Sequence, residues 1–285
     1  MTKQAQSQSS SLPGKPSVGQ AFERLADITA RLRAPDGCPW DREQTHLSLR
    51  KHLVEETYET LDAIENEDMA HLREELGDLL MQPVLHAQIA REAGHFDIVE
   101  VLEEISDKLV RRHPHVFGDV NVENSEAVLQ NWDAIKKQEK AARTENQNGQ
   151  NFESILCGVP KSLPALALAQ EVSKKAAKAG FEWPDAPGVL EKLHEEIEEL
   201  KSEVQSGSRE RIAEELGDVL FTLVNVARWH KIDAELALRD TVKRFSARFE
   251  HMEKAAQQNN RVLEELSSQE WDDLWNSAKR ESDNV

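Results

Sequence analysis

Along most of this chain apolar side chains return at intervals of three, four and seven, and clean apolar–polar alternation is scarce. That period predicts amphipathic helices and little strand. On a wheel of about 100° per residue, Leu193, Ile197, Leu200 and Val204 form one stripe, and Ile212, Leu216, Val219 and Leu223 form a second. Leu53, Leu61 and Ile64, then Leu72, Leu76 and Leu79, form two more. Carboxylates border every stripe: Glu196 with Glu199, Glu215 with Asp218, Glu56 with Glu59, and Glu75 with Asp78. If the helices of each half pack stripe to stripe, two acids from each meet across the seam.

The arrangement occurs twice. Glu55 and Glu195 are separated by 140 positions, and so are Asp78 and Asp218. Two motifs sharing one offset mark a duplicated domain, since solenoid units span only about 20–50 residues. A weaker echo follows in "NWDAIKKQE" from Asn131 and "LWNSAKRE" from Leu274, whose tryptophans lie 143 positions apart. The Ser/Gln-rich opening through position 17 and the polar stretch 141–152 predict a disordered tail and a linker. Two helical domains remain, 18–140 and 153–285, each of ordinary domain size, about 100–150 residues. The expected fold is all-α, a tandem of duplicated helical bundles.

Composition narrows the function. The 53 acids against 35 bases give a net charge of -18, which repels a nucleic-acid backbone. Two cysteines are too few for a disulfide framework, although one bridge between them stays open. No apolar run approaches the ~18 residues that span a bilayer, and the first residues lack the apolar core of a signal peptide. These features predict a cytoplasmic protein with no nucleic-acid or membrane partner. An acidic surface still accepts an anion when metal ions or clustered cations stand between the two.

The acids themselves argue for a ligand. An acidic helix face is commonly just solvated, but Glu55 with Glu59 and Glu74 with Asp78 set like charges at i, i+4, each pair costing about 0.2–0.5 kcal/mol. Gly77 and Gly217 each add a helix penalty of about 1 kcal/mol relative to alanine, while letting a backbone or ligand come close. Carboxylates without cysteine or obligatory histidine favour a hard divalent cation, Mg²⁺ or alternatively Mn²⁺. A di-iron carboxylate bundle would need Glu-x-x-His steps; these occur at Glu92/His95 and Glu191/His194, which are not equivalent places in the two copies.

Candidate cations for a phosphate follow the acids. Arg244 and Arg248 stand at i, i+4 in "TVKRFSARFEHMEK", and "RRHPHVF" from Arg111 is a looser counterpart. Guanidinium forks suit phosphates, although the spacing suits a solvated basic face equally. Trp183 and Trp275 are candidates for stacking on a base, weighed against ordinary core packing. No GxxxxGK loop is present, so a P-loop NTPase is unsupported.

The acid motifs Glu55 to Glu59 with Glu75 to Asp78, repeated at Glu195 to Glu199 with Glu215 to Asp218, resemble those of the MazG nucleoside triphosphate pyrophosphohydrolases. "DGCPWDREQTHLSLRKHLVEETYE" from Asp36 and "SDKLVRRHPHVFGDV" from Ser106 resemble the long two-domain members. The likeness runs from about Ala21 to Glu281. It implies an all-α homodimer that cleaves nucleoside triphosphates to monophosphate and pyrophosphate with Mg²⁺, in nucleotide-pool housecleaning. Its implied metal positions are Glu56, Glu59, Glu75 and Asp78, and Glu196, Glu199, Glu215 and Asp218. The second copy is the implied catalytic one, with Glu195 as candidate base beside Glu196. Lys136, Lys175, Trp183, Arg244, Arg248 and Trp275 are the candidate substrate contacts. Pro83 interrupts the first copy's apolar run after Asp78, and a mid-helix proline costs ~3 kcal/mol or more unless the helix kinks. The first acid cluster is therefore in question, and that copy is expected to be structural, regulatory or selective for another nucleotide. A non-enzymatic dimeric helical module that offers its acids to a protein partner is the competing class.

Overall fold

The computed structural model describes residues 16–145, 154–259 and 261–282, and among them all regular structure is helical. The chain divides into two compact units, 1–149 and 150–285. The first holds α1 (Val18–Arg33), α2 (Pro39–Glu43), α3 (Arg50–Glu65), α4 (Met69–Glu92), α5 (Ile98–Arg112), α6 (Pro114–Phe117) and α7 (Ser125–Glu145). The second holds α8 (Ala165–Lys178), α9 (Ala186–Ser206), α10 (Arg209–Trp229), α11 (Ala234–Gln258) and α12 (Ser268–Ser282), with a 3₁₀ turn at Leu263–Glu265. In each unit the principal packing is between the two acid-bearing helices, α3 on α4 and α9 on α10.

The duplication holds in three dimensions. The starts of α4 and α10, Met69 and Arg209, fall on the 140-residue offset, and those of α7 and α12, Ser125 and Ser268, fall on the 143-residue one. Local chemistry fixes the starts. Asp68 accepts from the amides of Ala70 and His71, Ser208 from that of Arg211, and Asp185 from that of Gly188, so each acid-bearing helix but α3 has a side-chain N-cap. Ser17, at the end of the expected tail, closes a reciprocal capping box with Gln20 at the start of α1. Residues 1–15 of that tail, and positions 146–152 of the expected linker, lie outside the described residues. Helix α7 runs on through Glu145, so the polar stretch from 141 begins as helix.

Two expectations from the pattern need amending. Helix α4 passes through Pro83 as one element. The proline lies more than a turn beyond Asp78, so the donor it lacks falls past the acids. The apolar stripes are also only partly buried. Val219 is core, whereas Leu53, Ile64, Leu76, Val204, Leu216 and Leu223 stay exposed, because one neighbouring helix cannot cover a stripe about 100° wide. Both cysteines are free thiols, and no described helix is long and apolar enough to cross a membrane.

Candidate functional site

In the second unit Glu196 of α9 and Glu215 and Asp218 of α10 bring carboxylate oxygens within 4.8 Å of one another. In the first unit Glu56 of α3 and Glu75 and Asp78 of α4 do the same. These six of the eight predicted acids form two equivalent triads, and the first survives despite Pro83. Glu196 and Glu215 are buried, as is Glu75. Glu59 and Glu199 do not join the tight groups, although both are close enough to be felt. Burial, and then Asp78, Glu59 and Glu75, push the Glu56 carboxyl above its ordinary range. Burial, with Glu196 and Glu215 beside it, does the same to Glu199.

Carboxylates packed this closely demand a counter-charge. In the second unit two side chains partly supply it. Lys192 reaches Glu195 at 2.7 Å and Glu196 at 2.9 Å, and these two hydrogen bonds hold its ammonium above the usual lysine range. Arg211 reaches Glu214 at 2.7 Å and Glu215 at 3.0 Å. The equivalent positions in the first unit, 140 residues earlier, are His52 and His71. His52 pairs with Glu55 at 3.1 Å and His71 with Glu75 at 2.9 Å. The motif reading passed over these four residues. Their signal was there all the same, each standing one helical turn before a predicted ligand.

The candidate substrate residues are placed as follows. Arg248 lies 6.0 Å from the centroid of the Trp275 ring, Lys279 lies 5.8 Å from it, and Phe245 packs against the ring at 5.4 Å. Arg244, one turn before Arg248, is exposed and donates to the Thr241 hydroxyl at 2.9 Å. Trp275 is thus lined by cations on one helix pair, α11 and α12. The first unit repeats the motif, with Lys136 5.4 Å from the Trp132 ring; Lys279 is its duplicate 143 positions later, which the tryptophan offset already signalled. Lys175 donates to the backbone carbonyl of Cys157, so it secures a loop of its own unit. Trp183 lines a cleft of about 310 Å³ with Gly180, Phe181, Glu182 and Pro184. Glu182 anchors that loop, accepting from Arg228 at 2.5 Å and from the Trp229 indole at 3.1 Å. Glu195 is exposed beside Lys192.

The donor set decides between hard and soft metals. Among the described residues the only groups of three or more potential ligands are these two all-carboxylate triads, which fit a hard divalent cation. The Glu-x-x-His steps do not assemble: α4 ends at Glu92, which is taken by Arg33, His95 lies beyond Gly94 at φ +72°, and among the described residues neither Glu191 nor His194 joins a group of three or more potential ligands.

Comparison with known proteins identifies the family. The family profile "MazG nucleotide pyrophosphohydrolase domain" matches residues 44–117 and 187–254, one segment over each acid-bearing helix pair. A Thermotoga maritima protein named nucleoside triphosphate pyrophosphohydrolase/pyrophosphatase MazG is 41% identical over 262 residues, covering 92% of this chain and 97% of the relative. The chain belongs to the MazG family. A second MazG relative, the nucleoside triphosphate pyrophosphohydrolase of Escherichia coli K12, is 42% identical over 263 residues, covering 91% of this chain and 97% of its own length. Each of these two relatives aligns along nearly its whole length with more than nine-tenths of this chain.

Proposed function

We propose that this MazG-family hydrolase cleaves nucleoside triphosphates to the monophosphate and pyrophosphate, with Mg²⁺ or Mn²⁺, and that the second unit carries the reaction. The observation that supports it most is the gathering of Glu196, Glu215 and Asp218, from two helices, within 4.8 Å. These side chains, with Glu199 beside them, would hold the cation, which neutralises the triphosphate and acidifies the attacking water. In the reaction a water oxygen bonds to the α-phosphorus, the bridging oxygen toward the β-phosphorus leaves with the pyrophosphate, and the water proton passes to a carboxylate. Glu195 is the candidate acceptor, held in place by Lys192. Arg244 and Arg248 stabilise charge on the departing pyrophosphate. Trp275, already flanked by Arg248 and Lys279, offers its remaining surface to the base.

The same face of the two units supports self-association. Leu76 and Leu80 are 50% and 45% exposed, and their duplicates Leu216 and Leu220 are 47% and 45% exposed. We take a second copy of the chain as the partner that covers them, giving a homodimer. Sedimentation at micromolar concentration should return twice the chain mass; a monomer there contradicts this part of the reading. For the reaction, a panel of triphosphates with Mg²⁺ should yield pyrophosphate and monophosphate. Release of inorganic phosphate as the primary product would refute cleavage between the α- and β-phosphates.

A further inference from the structure

Among the described residues most buried polar side chains are satisfied, the exceptions being one glutamine oxygen, His115 Nδ1 and Trp132 Nε1. Gln170 donates to the Ile232 carbonyl and accepts from the Ala234 amide, both at 2.9 Å. Thr29 and Thr60 bond the carbonyls of Leu25 and Glu56. Ser173 and Asn225 bond each other and Arg228. Of the three exceptions only Gln82 lies on an acid-bearing helix: it is 2% exposed, and its Oε1 has no partner. Such an orphaned acceptor costs about 1–3 kcal/mol unless something supplies a donor.

Its position says what that something is. Gln82 stands seven residues after Glu75 and four after Asp78, so all three fall on one stripe of α4. Helical side chains lean toward the helix N-terminus, which turns the Gln82 amide toward Asp78 and the first triad. The nearest acids cannot satisfy it, since an ionised carboxylate has no proton to give. Mg²⁺ dehydrates reluctantly and keeps several waters when bound by carboxylates, and each such water is a strong donor. We infer that Gln82 accepts a hydrogen bond from a water ligand of a divalent cation held by Glu56, Glu75 and Asp78. Gln82 is then a positioning residue that makes the first unit a metal site in its own right. The second unit carries the shorter Thr222 at the same place, so this device belongs to the first unit alone. The inference rests on the reading of the triads as cation sites.

The test uses the full chain with the second triad silenced by Glu215→Gln and Asp218→Asn, and follows Mn²⁺ binding by the electron paramagnetic resonance of the free ion. That parent should bind Mn²⁺ at the first unit. Adding Gln82→Met, close in shape but with no acceptor oxygen, should weaken the binding about tenfold or more and raise the melting temperature of the metal-free protein, because the orphan is gone. Gln82→Glu, which keeps an acceptor, should retain Mn²⁺ affinity. Affinity within twofold of the parent in Gln82→Met overturns the role of Gln82 while leaving the cation site standing. No binding by the parent overturns both.

Discussion

The two units set the same three carboxylates in the same helical register, yet they answer the charge differently. Lys192 and Arg211 press permanent cations against the second triad, whereas histidines occupy those places in the first. Below the triad the second unit has Thr222 and the first has the unsatisfied Gln82. Duplication preserved the carboxylate scaffold and let its surroundings diverge. On the proposed reading, the cations beside the second triad suit it to a polyanionic substrate. On the same reading, the orphaned acceptor suits the first to a hydrated ion.

Removing ligands gives the largest expected contrast. Glu196→Gln or Asp218→Asn should lower kcat for triphosphate cleavage by about a hundredfold or more, with unchanged far-ultraviolet circular dichroism. Glu56→Gln or Asp78→Asn should change it only a few-fold. Equal losses from both units would break the assignment of catalysis to the second.

Exchanging the counter-charges comes next. His52→Lys with His71→Arg gives the first unit the second unit's cations. An added charge about 4 Å from a ligand costs roughly 1 kcal/mol in a watery environment, so Mn²⁺ affinity there should fall about fivefold per cation. Unchanged affinity would show that these side chains swing clear when the ion binds.

The glycines sharpen the comparison further. A Cβ built at Gly77 or Gly217 meets nothing within 4 Å in the chain, so packing within a unit does not require either glycine. Gly77→Ala and Gly217→Ala should each add about 1 kcal/mol of helix stability, read as a higher melting temperature without nucleotide. A raised KM in Gly217→Ala alone would place the approaching ligand at the second unit. A lowered melting temperature in both would put the partner copy there.

The smallest effect concerns acid stability. Arg112 and then Arg111 bond Glu139, tying α7 to α5 and holding its carboxyl down to about 2 from 4.5. A depressed carboxylate stabilises the fold fully above its unfolded value and loses that contribution as pH falls toward its folded value. Glu139→Gln should therefore cost about 1 kcal/mol at pH 7, and the gap in urea midpoint should close between pH 4.5 and 2. Glu182 is also held low, by Arg228, so Glu182→Gln should narrow its gap in the same direction. A gap in Glu139→Gln that is constant with pH would remove the ion pair from the account.

How much of this was legible in the sequence depends on what each feature needs. The helices and the duplication follow from period and offset, which survive without coordinates. The acids could be put on adjoining helices for the same reason. That Glu59 and Glu199 stand outside the triads could not be read, because helix crossing and side-chain rotamers decide which oxygens meet. Pro83 misled because a mid-helix proline disturbs its own turn, while the acids sit in earlier ones. Lys192, Arg211, His52 and His71 were readable by asking what stood one turn before each ligand. The orphaned Gln82 oxygen was not, since being unsatisfied is a property of the packed molecule.

The central claim is that the second triad directs water onto the α-phosphorus. Hydrolysis of a nucleoside triphosphate in H₂¹⁸O, with products read by mass spectrometry, tests it most directly. The account predicts ¹⁸O in the monophosphate and none in the pyrophosphate, with both products lost in Asp218→Asn. Label in the pyrophosphate, or undiminished turnover in that variant, would contradict it.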